Sequence, residues 1–370
     1  MHGRFERERP KKGKKIALIV LLVLLILILS AAVIGIVVYN NTLNLVSRAE
    51  VVEKPNATVD AALLGNMEET EAPAETQAVE ITEATEPPTT LPYTPSEQDI
   101  INVLVVGQAA REGEEYRMAD TMILVTVNKT SKTITLTSFL RDTYVKLPDY
   151  MGHACGKNRI NVCYHLGWTW GDTGGAMEMT NMCLKNNFGI EVDYNVEIDF
   201  NAFTKIIDVL GGVRIDLNEA EVKYLQEKIW YQEFVVGENR LFGNAALEYA
   251  RMRKAEGDGD SDIKRTARQR TLVTALMKKF RTRGIDAAQD LANEILPMIT
   301  TNMTNDEITT CIWEILPMIT EMTIESGTCP ASGTYWGEMI ELGGYDASIL
   351  KYDDAENRKL MKALTEGITE

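Results

Sequence analysis

The hydrophobic pattern of the first forty residues differs from that of the rest of the chain. Residues 16–39 form a run of 24 residues without a single charge, and residues 1–15 carry seven Lys or Arg against two Glu. As a helix, such a run spans about 36 Å, more than the roughly 30 Å hydrocarbon core of a bilayer. The pattern predicts a single-pass anchor in the cell membrane, with residues 1–15 in the cytoplasm and the later residues extracellular.

A cleaved signal peptide is the alternative interpretation of this segment, because signal peptides also begin with basic residues. Their apolar region spans about 7–15 residues and is followed by a cleavage site of small residues. Here the run is longer, and the sequence NNTLNLVSRAE follows it. The length of the run and the sequence after it therefore favour an uncleaved transmembrane helix over a signal peptide.

Polar residues dominate the segment that follows the apolar run. Residues 50–98 contain eleven acidic residues and one Lys, are rich in Thr, Pro and Ala, and include few large apolar side chains. Such a composition cannot offset the entropy lost on ordering. It predicts that residues 40–98 form a disordered, acidic extracellular stalk; a functional acidic tail is the alternative.

From residue 99 onward, the chain alternates between two periodicities. Short β-branched or alternating runs predict strands at 101–106, 120–128, 132–138, 191–200 and 211–217. Helical periodicity predicts helices at 176–187, 201–210 and 265–281. This alternation indicates an α/β or α+β layered domain over 99–285, with 286–370 a mostly helical part packed on the same domain.

Composition narrows the classes of function. The chain has 38 Lys and Arg against 54 Asp and Glu, a net charge of −16, which argues against nonspecific nucleic-acid binding. Three His make a His-rich metal site improbable, and five Cys are too few for a disulfide scaffold. In an exported domain, the odd number of Cys allows one or two disulfides and leaves at least one free thiol.

Against this acidic background, one segment of the exported part concentrates basic residues. Seven Lys or Arg occur within twenty residues: Arg251, Arg253, Lys254, Lys264, Arg265, Arg268 and Arg270. Arg265 and Gln269 are four residues apart and share one face of the predicted helix. Clustered guanidinium groups suit a phosphate or pyrophosphate, because each offers paired donors to oxyanions. The alternative is a surface whose arginines pair with Asp258, Asp260 and Asp262.

Further charged residues occur at the ends of predicted strands. Asp120 begins one strand, the pair Arg141-Asp142 directly follows another, and Arg159 lies in a predicted loop. Sites in α/β proteins usually form at strand ends. Each position alone is weak evidence, because Arg–Asp pairs at strand ends are commonly structural.

Together, the order and spacing of these polar residues resemble the LytR-CpsA-Psr family over residues 101–280. These are membrane-anchored enzymes, mostly of Gram-positive bacteria, that attach glycopolymers to the cell wall. The matching blocks are Ala119-Asp120-Thr121, Ser138 to Asp142, Arg159-Ile160-Asn161, Gly211-Gly212-Val213, Gly243 to Arg253 and Asp262 to Gln269. The last two are the most specific, since many polar positions match in order.

The resemblance implies an α-β-α layered domain with a central mixed sheet and an apolar tunnel for a lipid tail. It implies a phosphotransferase that moves a glycopolymer of the wall teichoic acid or capsule type from a polyprenyl-pyrophosphate carrier to peptidoglycan. The pyrophosphate would be held by Arg141, Arg159, Arg251, Arg253, Arg265 and Gln269. Asp120 would help hold Mg²⁺, Arg141, Asp120 and Arg253 would be catalytic, and Asp142, Asp262 and Arg268 would support them.

One departure from the family pattern concerns the metal. The family has a second Mg²⁺-associated carboxylate in a Gly-x-Asp motif, whereas this chain has Gly107-Gln108-Ala109. Ala109 cannot bind a metal ion. A non-catalytic protein that binds polyprenyl phosphate in wall assembly or signalling is therefore the alternative function. An adhesion module on a stalk is a third possibility, but it does not explain the arginines.

Overall fold

The computed structural model describes residues 44–54, 57–66, 99–108, 117–252, 264–279, 294, 296–315, 318 and 321–366. The chain divides into two compact units, residues 1–45 and 46–370, and nearly all described residues belong to the second. The predicted transmembrane run lies outside the described residues. Among the helices that the structure describes, none is both long and apolar enough to cross a membrane.

A mixed seven-stranded sheet forms the centre of the second unit. Its strands, in spatial order, are β1 (Ser47–Arg48), β10 (Ile299–Thr301), β7 (Tyr194–Ile198), β2 (Ile100–Gln108), β3 (Ala119–Asn128), β4 (Thr133–Phe139) and β11 (Thr323–Cys329). Neighbours pair in parallel for β1–β10, β7–β2 and β4–β11, and antiparallel elsewhere. The predicted central strands are thus confirmed, and they form a mixed sheet.

Helices cover both faces of this sheet, since side chains along each strand alternate between the faces. Met122 and Leu124 face one core with α2 (Val162–Phe188) and α8 (Asp354–Glu366). Ile123 and Val127 face another, with the helix α6 (264–279) and α7 (Asn305–Ile315). Because both faces are buried, five of the six residues from Met122 to Val127 in β3 are apolar, and this run makes the strand predictable from the sequence.

A third core lies beyond α6 and forms a separate layer of the unit. It contains α3 (Phe200–Val209), α4 (Glu219–Lys228), α5 (Gly243–Arg251) and the hairpin of β8 (Val213–Leu217) and β9 (Gly237–Leu241). Gly243 begins α5 because a Cβ there would lie 2.5 Å from the Thr204 carbonyl oxygen. The close approach holds α5 against α3, and both helices border the site.

Helix α2 is a hairpin rather than one straight helix. Gly171 and Asp172 have non-helical backbone angles, so the chain turns between two helical halves. A Cβ on Gly167 would lie 2.3 Å from the Gly175 carbonyl oxygen, so the halves pack at glycine. The predicted helix over 176–187 is the second half.

All five Cys are free thiols, so the sequence-based allowance for disulfides is wrong.

The predicted stalk is also wrong for the part that the structure describes. Residues 46–54 and 57–66 belong to the folded unit and include β1 and a short helix α1 (Ala61–Leu64). Val52 donates a backbone hydrogen bond to Gly171, and Asn66 donates one to Lys157. The composition of 50–98 concealed these contacts, because a few apolar residues here pack on the main core. The rest of the predicted stalk lies outside the described residues.

The C-terminal part differs from the mostly helical prediction. Its described residues include β10 and β11, which complete the central sheet, and a hairpin of β12 (Tyr335–Leu342) and β13 (Tyr345–Tyr352). Gly343-Gly344 joins the hairpin strands with φ of 59° and 85°. Two glycines with positive φ are typical of a two-residue hairpin turn, a signal that helical periodicity masked. Two short strands, β5 (Tyr144–Lys146) and β6 (Lys157–Arg159), pair nearby.

Candidate functional site

An apolar cavity of about 810 Å³ lies between the central sheet and the outer layer. Strands β2, β3 and β7 form its floor, and helices α3, α4, α5 and α6 form its walls. Its apolar lining consists of Val105, Ile123, Ile198, Phe203, Ile206, Leu247, Leu272, Val273 and Leu276, among others. A cavity of this size and lining suits a hydrocarbon chain.

Four of the sequence-predicted site residues line this cavity, and we call their polar side chains its rim. Asp120, Arg251, Arg265 and Gln269 all line it. Arg265 and Gln269 lie one turn apart on α6, as their spacing predicted, and Arg265 is only 4% exposed. Residues up to 149 positions apart in sequence therefore line the same apolar cavity. Such a rim suits an amphiphile whose head group is anionic.

Arg251 has its position fixed from two sides. It ends α5, where its guanidinium lies 5.1 Å above the ring of Phe200. It also forms an ion pair of 3.8 Å with Glu248, three residues earlier. The guanidinium thus stacks on an aromatic face and keeps part of its donor set toward the cavity.

A second basic group reaches the rim through Asp120. Arg141 Nη1 lies 3.5 Å from Asp120 Oδ1, and Arg141 Nε lies 3.5 Å from Asp142 Oδ1. Arg159 Nη1 lies 3.6 Å from the same Asp142 oxygen. The two arginines and two aspartates form a continuous charged chain that ends at the cavity. Arg141 and Arg159 are not themselves among the lining residues, so the predicted site is extended rather than a single ring.

One further predicted position, Arg268, lies away from this rim. Arg253 and Asp262 lie outside the described residues, as does Ala109. Arg268 points away from the cavity, toward Glu221 on α4, with an ion pair of 2.8 Å. Arg268 also donates to the Met252 carbonyl oxygen at 3.1 Å, so it joins α6 to α4 and to the end of α5.

Sequence reasoning missed several residues at the rim. Tyr224 and Lys228 on α4, Glu248 on α5, and Asp199 and Phe200 at the start of α3 also line the cavity. Asp199 is the N-cap of α3 and accepts from the Ala202 N–H at 2.7 Å. Only the N-cap pattern of an Asp before a helix was visible in the sequence. The others reach the site through tertiary packing alone.

The carboxylates at the rim define what metal chemistry is available. Among the described residues, no three His, Cys, Asp or Glu side chains come together as a metal cluster. Asp120 and Asp199 both line the cavity beside its basic groups. Mg²⁺ typically takes one or two carboxylates together with phosphate oxygens. The donor set therefore fits Mg²⁺ that arrives with a phosphate-bearing ligand.

A buried polar network lies beneath the end of β2. With the Gln108 amide oriented to satisfy both neighbours, its nitrogen donates to Glu197 at 3.3 Å and its oxygen accepts from Arg117 at 3.3 Å. The Tyr164 hydroxyl donates to Glu197 as well. Arg117 also stacks on Trp168, at 4.9 Å from its centroid. Arg117 thus belongs to this buried network.

Burial raises the pKa of Glu197 to about 7, with Asp199 adding to the effect and Arg117 opposing it. The folded protein therefore holds one more proton than the unfolded chain between about pH 4.5 and 7. The free energy of unfolding accordingly falls as pH rises through this window. The difference between 4.5 and about 7 corresponds to about 3 kcal/mol.

Glu197→Gln should remove this dependence. We expect the variant to match the wild type near pH 4.5 and to be more stable by up to about 3 kcal/mol at pH 8. Urea unfolding at several pH values measures it, and exposed Glu325→Gln is the matched control. Equal pH profiles for the wild type and Glu197→Gln would show that Glu197 is ionised in the folded protein.

The LytR-CpsA-Psr family model matches residues 66–363. This covers most of the chain, and the chain belongs to that family.

Two curated relatives and one solved structure illustrate the similarity. The chain is 30% identical over 226 residues to the polyisoprenyl-teichoic acid–peptidoglycan teichoic acid transferase TagU of Bacillus subtilis, covering 60% of this chain and 64% of TagU. It is 30% identical over 261 residues to TagT of the same species, named for the same activity, covering 67% and 69%. The match thus spans less than two thirds of TagU.

The solved structure is TagT with bound octaprenyl pyrophosphate lipid. It aligns with a TM-score of 0.52 at 22% identity, covering 73% of this chain and 92% of that chain. At this identity, the likeness concerns the fold, which is the mixed α/β fold with a central mixed sheet.

Proposed function

We propose that this protein is a membrane-anchored, extracellular phosphotransferase that moves a glycopolymer from a polyprenyl-pyrophosphate carrier to peptidoglycan. The observation that carries the proposal is the apolar cavity of about 810 Å³ whose lining includes Asp120, Arg251, Arg265 and Gln269. The names of TagU and TagT, and the lipid bound to TagT, support the same chemistry. Residues 16–39 would anchor the protein in a Gram-positive cell membrane.

Each part of the donor has a matching part of the site. The polyprenyl chain would occupy the apolar cavity, and its pyrophosphate would lie at the rim. Arg251 and Arg265 offer paired donors to the phosphate oxygens, and Gln269 adds an amide donor. Arg141 and Arg159 would contribute positive charge through the chain of ion pairs that ends at Asp120. The polymer itself would extend into solvent.

In the proposed reaction, a sugar hydroxyl of peptidoglycan attacks the phosphorus that carries the glycopolymer. A new oxygen–phosphorus bond forms, and the bond from that phosphorus to the bridging oxygen breaks. Polyprenyl phosphate leaves with the bridging oxygen and its electron pair, and the hydroxyl proton passes to solvent. Such a reaction depends mainly on positioning and on neutralising charge, which arginines provide.

Asp142 is better suited to hold Arg141 than to accept that proton. Its Oδ1 lies 3.5 Å from one guanidinium and 3.6 Å from another, so it bridges Arg141 and Arg159. We assign it a positioning role at the edge of the rim.

Asp120 and Asp199 would hold Mg²⁺ together with pyrophosphate oxygens. The ion would supply additional neutralisation of phosphate charge. In this arrangement, Asp199 provides the second carboxylate that the Gly107-Gln108-Ala109 sequence lacks.

Asp120→Asn should therefore reduce transfer at saturating Mg²⁺ by about 10²-fold or more, because a developing charge loses its counter-ion. Binding of polyprenyl pyrophosphate should persist through the arginines. The assay follows radiolabelled glycopolymer from a synthetic lipid carrier to peptidoglycan, and exposed Asp346→Asn is the control. Unchanged, Mg²⁺-dependent transfer by Asp120→Asn would remove Asp120 from the metal site.

The same assay separates the proposed transferase from a lipid-binding protein without activity. The non-catalytic alternative predicts that the wild type binds the lipid but transfers no glycopolymer. It also predicts that the Ala109→Asp variant gains Mg²⁺-dependent transfer. Turnover by the wild type supports the enzyme.

A further inference from the structure

The loop between α4 and β9, residues 229–236, presents an unusual cluster of apolar side chains to solvent. Trp230 is 87% exposed, Tyr231 56%, Val235 62% and Val236 65%. Trp230 and Tyr231 contact each other edge to face, with centroids 5.7 Å apart. Half of an eight-residue loop is therefore large, apolar and uncovered, which marks an interaction surface.

The loop is firmly built in spite of this exposure. Ile229 and Phe234 are its buried anchors in the core of the outer layer. The Asn239 side chain accepts from the Val235 N–H at 3.0 Å and donates to the Val235 and Gly237 carbonyl oxygens at 2.6 and 2.7 Å. The Gln226 side chain accepts from the Phe234 N–H at 3.2 Å. With these backbone groups satisfied, the loop can enter an apolar phase at a lower desolvation cost.

The position of the loop connects it to the proposed lipid cavity. Lys228, the last residue of α4, lines that cavity, and the loop begins with the next residue. Tyr224, one turn earlier, lines the cavity too. A molecule that enters beside α4 would therefore pass next to the exposed aromatic pair.

Only a short segment separates the predicted membrane anchor from the folded unit. The apolar run ends at residue 39, and Val46 is the first residue of the folded unit. Six intervening residues span at most about 20 Å. Because residues 46–54 already belong to the folded unit, only these six residues would join it to the proposed anchor.

We propose that the loop over residues 229–236 inserts into the outer surface of the bilayer that holds the anchor. Trp and Tyr favour the boundary between hydrocarbon and water, and Val235 and Val236 add apolar area. The nearby charges Glu227, Lys228 and Glu233 nearly balance, so apolar insertion rather than attraction to anionic lipid drives the contact. On the proposed function, the insertion would place the cavity rim where a polyprenyl lipid leaves the membrane.

Fluorescence of the full-length protein in lipid nanodiscs tests the insertion. Acyl chains brominated near the head group quench a tryptophan that contacts them, and acrylamide quenches one exposed to water. The Trp230 signal is the difference between the wild type and Trp230→Phe. Trp336→Phe is the matched control, because Trp336 is 52% exposed and lies on a different element, the β12–β13 hairpin.

We expect the Trp230 signal to be quenched by brominated lipid and shielded from acrylamide, equally at low and high salt. The Trp336 signal should show the opposite. A Trp230 signal that acrylamide quenches and brominated lipid does not would overturn the proposal. So would shielding of Trp230 from acrylamide that persists in detergent-free solution without lipid, because contact with another protein copy would then cover the side chain.

A second measurement separates this proposal from the proposed function. The variant with Trp230, Tyr231, Val235 and Val236 all changed to Ser should load long-chain polyprenyl pyrophosphate from nanodiscs at least about 10-fold more slowly. Its binding of water-soluble farnesyl pyrophosphate should match the wild type. If the wild type does not bind farnesyl pyrophosphate, the lipid-binding function fails, while the quenching experiment still decides whether the loop is inserted.

Discussion

Arg265→Ala is expected to lower glycopolymer transfer by about 10²- to 10³-fold, the usual cost of removing one donor that stabilises developing charge. Arg265 lines the cavity rim and is 4% exposed, so water cannot replace its guanidinium. Arg265→Lys should recover only part of the rate, because an ammonium group lacks the paired donors. The transfer assay with a synthetic lipid carrier measures both variants.

Arg270→Ala is the matched control for this prediction. Arg270 lies five residues further along the same helix and lines a separate groove with Lys278 and Lys279. The control should keep near wild-type transfer. Thermal melting must show that Arg265→Ala is folded; a folded variant with an undiminished rate would exclude Arg265 from the site.

Arg268→Ala is expected to destabilise the protein by about 3–5 kcal/mol, the cost of leaving a buried charge unpaired. Arg268 and Glu221 pair at 2.8 Å with side chains only 7% and 8% exposed. The same loss frees α6 from α4, and Arg265 and Gln269 are carried on α6. Urea unfolding measures the change in the free energy of unfolding.

An exposed pair of the same length provides the control. Arg214 and Glu238 also pair at 2.8 Å, but their side chains are 76% and 64% exposed. Arg214→Ala should cost less than about 1 kcal/mol. The double variant Arg268→Met with Glu221→Leu should recover much of the loss, since neither charge then remains buried. Similar small losses for Arg268→Ala and Arg214→Ala would contradict the structural role of Arg268.

The central sheet was predictable because its strands are buried on both faces. Five of the six residues from Met122 to Val127 in β3 are apolar, and β4 alternates clearly. The edges of the sheet were not predictable in the same way. Strand β11 is half exposed, and β1 is only two residues long, so neither leaves a periodic signal. Their pairing depends on partners far away in the sequence.

Some residues of the candidate site could likewise be predicted from the sequence, and others could not. Arg265 and Gln269 share a helix face, so their spacing already placed them together. The approach of Arg251 and Asp120 to the same cavity was implied only by the family resemblance. Tyr224 and Lys228 carry no sequence signal, because they read as an ordinary amphipathic helix until α4 packs beside α6. The buried network of Glu197 could not be predicted from the sequence either, because its neighbours Gln108 and Tyr164 come from other elements.

The central claim is that the cavity holds a polyprenyl chain with its phosphate groups at the arginine rim. The most direct test is mass spectrometry of the full-length protein purified from bacteria in mild detergent, with Arg265→Ala purified in parallel. We predict co-purified polyprenyl phosphate or pyrophosphate near one molecule per protein in the wild type and its loss from the variant. A wild type that carries none, and binds none after addition of synthetic polyprenyl pyrophosphate with Mg²⁺, would contradict the account.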